Sequence, residues 1–173
     1  MSENLLGIRK GWNMKKSYFP VFMDIGEKKI LVVGGGNIAS RRVKTLLAFA
    51  ENITVIAPEV TEFLSGLESE GRIVCLHREY RPEDLEGMDM ILAATDDRRL
   101  NQSIARLCEG EKEKGRDILV NIADNRELCD FYFPSVIQKE GVVIGINSGG
   151  ACPGKVKAVR KKIEDIFWGR EDK

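Results

Sequence analysis

The chain has 173 residues, 27 basic and 27 acidic side chains, and no formal net charge. That length suits one main domain with a small appendage, and the balanced charge excludes a general affinity for nucleic acid or anionic membranes, leaving only local patches. No apolar run is long enough to span a bilayer, and residues 1–17 form a polar leader without a signal-peptide core, so a cytoplasmic protein is expected. The four cysteines, Cys75, Cys108, Cys129 and Cys152, form no C-x-x-C pair. They fit a reducing compartment, and no metal-ligand set is assigned.

Residues 29–33, Lys-Ile-Leu-Val-Val, read as a short apolar strand running into Gly34-Gly35-Gly36. A helix over residues 40–50 follows, with Val43, Leu46, Leu47 and Ala50 on one face. Gly34, Gly36 and Ala39 fit the dinucleotide fingerprint G-x-G-x-x-A. Gly34 gives the tight turn, Gly36 lets the backbone approach a pyrophosphate, and Ala39 lets the helix pack closely on the strand. The helix N-terminus offers N–H groups to the phosphates. Residues 52–58 form a second, β-branched strand ended by Pro58. A short helix over 60–68, a strand over 72–76 and a continuous apolar strand over 88–94 come next. Asp96 or Asp97 caps the following helix, whose apolar side carries Leu100, Ile104, Leu107 and Cys108. Residues 117–123 are a fifth strand. Strands alternating with helices imply a doubly wound α/β parallel sheet of Rossmann-like type.

The pattern then changes. Residues 131–138 and 142–147 are strand-like runs joined by the turn Lys139-Glu140-Gly141, an antiparallel hairpin outside the parallel repeat. A glycine-rich loop over 148–154 leads into a last helix with Val156, Val159, Ile163, Ile166 and Phe167 as an apolar stripe that needs a cover.

The place of the acidic ribose ligand after the second strand holds Ala57-Pro58, with Glu59 one step beyond and no arginine directly after it, which favours NAD over NADP. His77 reads as structural or solvated, and no Tyr-x-x-x-Lys pair is present. Carboxylates at the carboxyl edge of the sheet are therefore the candidates for chemistry. Asp97 reads as a cap, whereas Asp124 has no clear helix to cap and its carboxylate is free to face the cleft. Arg126 beside it, and the run Lys155, Lys157, Arg160, Lys161 and Lys162, supply local positive charge; a solvated helix face explains that run equally well.

Five blocks in order carry a family resemblance: Gly34-Gly35-Gly36-Asn37-Ile38-Ala39 with Arg41; Val55-Ile56-Ala57-Pro58; Ala93-Ala94-Thr95-Asp96-Asp97 with Leu100-Asn101; Val120-Asn121-Ile122-Ala123-Asp124 with Cys129-Asp130-Phe131 and Pro134; and Ser148-Gly149-Gly150 with Pro153. Together, over about residues 18–166, they resemble the precorrin-2 dehydrogenases of sirohaem synthesis, including the N-terminal part of sirohaem synthase. The resemblance implies oxidation of precorrin-2 to sirohydrochlorin with NAD as hydride acceptor, and in some members ferrous iron insertion. It implies Asp124 as the active-site aspartate and a nucleotide site from Gly34, Gly35, Gly36, Asn37, Ile38, Pro58, Glu59, Thr95 and Asp96. Ser148, Gly149 and Gly150, with Arg126 and Lys155, are expected on the tetrapyrrole. It further implies a homodimer formed through the hairpin at 131–147, with 18–130 as the nucleotide domain and 148–173 as a C-terminal helical segment shorter than the family's. Cys152 replaces the family's usual serine before Pro153, and the trifunctional sirohaem synthase is not the expected member. A non-catalytic NAD-sensing module is the reading from a different class, and no nucleic acid or membrane partner is expected.

Overall fold

The computed structural model describes residues 18–150 and 152–169; the polar leader lies outside them. Five parallel strands form the sheet: β1 (Ile30–Val33), β2 (Ile53–Ile56), β3 (Val74–Leu76), β4 (Met90–Ala93) and β5 (Leu119–Ile122). Their order is β3-β2-β1-β4-β5, so the chain reverses its winding between β1 and β4. That reversal opens a crevice at the carboxyl ends of those two strands.

Alternation along the strands loads both faces. Ile30, Val32, Val55 and Leu92 point to one core, covered by α1 (Asn37–Leu46) and α2 (Glu62–Ser69). Leu31, Val33, Ile91, Val120 and Ile122 point to the other, covered by α3 (Arg98–Glu113). Burial on both faces explains why β1 and β4 read as unbroken apolar runs.

Two expectations are corrected. Helix α1 begins at Asn37, three residues before the expected Ser40, and is complete at Leu46. Its first turn escapes the periodicity because Asn37 and Ile38 face solvent. On α3, Leu107 is exposed, and the buried stripe is Asn101, Ile104, Ala105 and Cys108.

The outer edge of β5 is closed from within the chain. Val120 N–H donates to Asp130 Oδ2 at 2.7 Å, and Asp130 N–H donates to the Val120 carbonyl at 2.9 Å. Ile122 N–H donates to Cys129 Sγ at 3.2 Å, and the thiol donates to the Ile122 carbonyl at 3.3 Å. Lys112 pins Asp130 from α3 at 2.7 Å.

The hairpin forms as expected, β6 (Ser135–Lys139) against β7 (Val142–Ile146). Glu140 and Gly141 take φ of 53° and 76° in its two-residue turn. Positive φ at both central residues matches the right-handed twist of the strands. The last helix, α4 (Pro153–Trp168), packs beside β6, and Arg160 reaches Ser135 Oγ at 3.4 Å. Its stripe is only half covered, with Ile166 and Phe167 69 % and 70 % exposed.

One ion pair gives the fold a pH dependence. Arg78 grips Asp84 through two bonds of 2.6 and 2.8 Å, and Asp84 also accepts the Arg81 N–H at 2.7 Å. The Arg78 guanidinium and that N–H hold the Asp84 carboxyl below its usual range, against the opposing effect of burial. This stabilisation is complete above the unfolded-state value near pH ~4 and disappears as pH falls through the lower folded value. Asp84→Asn should therefore reduce stability at neutral pH and flatten the acid decline, as read by urea titrations at neutral and acid pH.

Candidate functional site

The glycine turn is built by contacts that leave no room at two positions and open space at the third. Gly34 has φ +117°, and a Cβ there would stand 2.5 Å from the Ala94 carbonyl of the strand across the crevice. A Cβ on Gly35 would collide with the Glu59 carbonyl at 2.0 Å. The Gly35 carbonyl in turn accepts the Thr61 N–H at 3.0 Å. The turn is thereby packed between the ends of β2 and β4. A Cβ on Gly36 would meet nothing within 4 Å, and Gly36, Asn37 and Ile38 are exposed.

Among the three helices packed on the parallel sheet, capping sets the same spot apart. Thr61 caps α2 through the Leu64 N–H, and Asp97 caps α3 through the N–H groups of Arg99 and Leu100. At α1 the N-cap is Gly36, no side chain caps it, and no acidic residue sits in the first turn. N–H groups left to an outside acceptor beside a glycine with space in front suit a pyrophosphate. The residues present therefore fit a dinucleotide. Ala39, fully buried, lets α1 lie against the sheet.

At the next carboxyl ends, Thr95 follows β4 and Asp124 follows β5. Fully buried Asn101 joins them. Its Oδ1 accepts from Thr95 N–H at 3.3 Å and from Thr95 Oγ1 at 2.7 Å. Its Nδ2 donates to the Thr95 carbonyl at 3.0 Å and to Asp124 Oδ1 at 3.1 Å. Asp124 Oδ2 pairs with Arg98 Nε at 3.3 Å, where the Arg98 side chain is 76 % exposed and the Asp124 side chain 27 %. One carboxylate oxygen of Asp124 is thus held from inside and the other sits under a solvent-borne cation. Asn125, not Asp124, caps the 3-10 turn Arg126–Leu128.

Arg126 Nη1 donates to the Gly149 carbonyl at 3.1 Å, and its Cδ lies 3.8 Å from where a Gly150 Cβ would be. The glycine-rich loop is therefore tied to the segment that carries Asp124. Ser148 Oγ accepts the Cys152 N–H at 3.2 Å. Lys155 is exposed at the start of α4, as are Lys157, Lys161 and Lys162, while Arg160 pairs with Glu164 at 2.9 Å. Pro58, Glu59 and Asp96 are exposed at the carboxyl ends of β2 and β4.

Several residues are drawn away from chemistry. His77 pairs with Glu68 at 3.0 Å on the surface. Arg42 lies over the Phe133 ring at 5.5 Å, and burial lowers it to about 10. Burial pushes the Cys75 and Cys108 thiols up to about 11, and Cys129 is spent on the β5 edge. A shallow cavity of 210 Å³ between Asn52, Arg72 and Met88 lies at the opposite, amino-terminal end of the strands. Among the described residues no group of three His, Cys, Asp or Glu is placed to hold a metal, and no helix is long and apolar enough to cross a membrane. Asn101 was absent from the expected site; a polar residue three positions before Ile104 on an apolar stripe was the available signal.

A five-stranded parallel sheet with a glycine turn at its switch point, followed by an uncapped helix, defines a Rossmann-type dinucleotide-binding protein. The NAD(P)-binding family model matches residues 21–135. Siroheme synthase of Pseudoalteromonas atlantica is 37 % identical over 150 residues, 87 % of this chain and 31 % of the relative. Siroheme synthase of Mannheimia succiniciproducens is 34 % identical over 151 residues, again 87 % and 31 %. The chain thus spans about a third of the length of these curated relatives. The solved structure of SirC, precorrin-2 dehydrogenase, superposes with a TM-score of 0.72 at 27 % identity, covering 87 % of this chain and 71 % of that one. The chain belongs to the NAD(P)-binding family and is similar to these siroheme synthases and to the precorrin-2 dehydrogenase SirC.

Proposed function

We propose that the chain is a precorrin-2 dehydrogenase that uses NAD and forms sirohydrochlorin, with Asp124 as the base. The observation that carries this reading is the junction Thr95–Asn101–Asp124 beside the glycine turn. It sets a carboxylate at the carboxyl ends of the strands, where a ligand bound at the turn would extend. When bound, the nicotinamide supplies a hydride acceptor. The reaction removes one hydride and one proton from the macrocycle, and Asp124 Oδ2, on the solvent side, receives the proton. Arg126 and Lys155 meet substrate carboxylates, with Ser148, Gly149 and Gly150 shaping the loop between them.

NAD is preferred because Glu59, whose backbone lies against Gly35, would oppose a 2′-phosphate. Of the two arginines early in α1, Arg42 is turned toward Phe133, while Arg41 is exposed. Asn37, Ile38, Pro58, Thr95 and Asp96 line the remaining nucleotide path. The division at residues 130/131 and 147/148 separates this nucleotide domain from a dimerisation hairpin and a helical segment.

A second copy of the chain covers the exposed apolar surface. Phe19, Val21 and Phe22 near the start, Val142 on the hairpin, and Ile166 and Phe167 on α4 are large apolar side chains left in solvent that a dimer would cover. A dimer is expected in light scattering, and Ile166→Lys with Phe167→Lys should shift it toward monomer.

The test is an anaerobic assay with precorrin-2 and NAD, following sirohydrochlorin absorbance, then ferrous ion. NAD-dependent sirohydrochlorin formation supports the dehydrogenase, and metal insertion above background adds chelation. Dinucleotide binding without product would instead support a sensing module.

A further inference from the structure

We propose that Asn101 is a positioning residue for the dehydrogenation: its side-chain amide holds Asp124 Oδ1 so that Oδ2 alone faces the reacting macrocycle, and it locks Asp124 to the cofactor-side Thr95. This rests on Asp124 being the base. Asn101 is completely buried on the stripe of α3 that otherwise carries Ile104, Ala105 and Cys108. An aliphatic residue there would serve packing better, since a buried amide is tolerated only when its bonds are made. All four of its bonds are made, and their polarity is directional. The carbonyl side serves only Thr95, through its N–H and hydroxyl. The NH₂ side serves the Thr95 carbonyl and Asp124 Oδ1.

An aspartate at this position retains the acceptor half and loses the donor half. Thr95 would keep its two donations, while Asp124 would face a second carboxylate about 3 Å away, which disfavours its charged form. The other partner of Asp124, Arg98, is mostly in solvent and reaches only Oδ2. It cannot replace the bond to Oδ1. Because the exposed Arg98 is free to turn to a substrate carboxylate, the oxygen it covers is the one a substrate can uncover.

The test compares Asn101→Asp, Asn101→Ser, Asp124→Asn and the double variant Asn101→Asp/Asp124→Asn, each read for kcat, for NAD dissociation constant and for thermal midpoint. Positioning predicts that Asn101→Asp loses roughly tenfold to a hundredfold in kcat while NAD affinity moves less than about threefold, because Thr95 stays anchored. Asn101→Ser, which adds no charge, should show the same split in milder form and covers the case in which Asn101→Asp fails to fold. In the double variant the amide donor and its acceptor have changed places, so the thermal midpoint should recover while kcat does not. A kcat for Asn101→Ser equal to wild type, with Asp124→Asn inactive, overturns the positioning role. Full activity in Asp124→Asn instead overturns the assignment of the base. Parallel loss of kcat, NAD affinity and thermal midpoint in Asn101→Ser reduces Asn101 to a packing residue and also overturns the proposal.

Discussion

Asp124→Asn should lower sirohydrochlorin formation by roughly 10²-fold or more, the range over which a positioned general base contributes, while leaving NAD affinity within about twofold of wild type. The substitution is nearly isosteric. An asparagine carbonyl at 124 still accepts from Asn101 Nδ2, so the junction with Thr95 survives. What disappears is the proton acceptor at Oδ2 and the pair with Arg98. That pair is largely solvent-exposed on the Arg98 side, so its loss costs little stability. Steady-state assays with a parallel NAD titration check the result. Turnover equal to wild type would move the base elsewhere.

The glycine turn should separate folding from cofactor binding at adjacent residues. Gly34→Ala should destabilise the protein by roughly 2–4 kcal/mol, from overpacking against the Ala94 carbonyl and from strain at positive φ. Gly35→Ala should cost about 1–3 kcal/mol by displacing the Glu59 backbone. For a chain of this size each kcal/mol lowers the thermal midpoint by roughly 2–4 °C. Gly36→Ala should lower the midpoint by only a few degrees, because the added methyl enters open space and only alanine's weaker N-cap preference opposes it. It should weaken NAD binding by about tenfold or more, since that space is where the pyrophosphate must come against the backbone. Thermal melts with and without NAD, and a calorimetric titration, distinguish the three. A stable Gly36→Ala protein with wild-type NAD affinity would place the pyrophosphate elsewhere.

Much of this architecture was legible in the sequence because it rests on local patterning. Apolar runs gave the strands of the sheet, and the spacing of Gly34, Gly36 and Ala39 gave the turn and its close helix. The hairpin followed from Glu140-Gly141 between two β-rich runs. What escaped was long-range or polar. The start of α1 was misplaced because its first turn presents Asn37 and Ile38 outward, where periodicity carries no information. Leu107 was placed inside on spacing, yet the stripe is rotated to bury Asn101 and Ala105. Asp124 stands at the end of the fifth strand, where position alone draws attention to it, but its two partners come from α3, 23 and 26 positions away in the chain. No pattern local to Asp124 encodes them. Cys129 lies in loop-like sequence, and no local pattern shows that it is buried on a strand edge.

That strand edge bears on how the chain survives its own folding. An open parallel strand is a template on which another molecule can add a strand, and the hazard is greatest while folding is incomplete. Here the outward main-chain groups of Val120 and Ile122 are taken by Cys129 and Asp130, only 7 to 10 residues along the chain. Contacts so close in sequence close quickly, ahead of the distant pairings that complete the sheet. At the other margin β3 is only three residues long and offers a poor template. The nascent sheet thus acquires its own stopper almost as soon as its last strand exists, which protects it against aggregation before any partner or cofactor arrives.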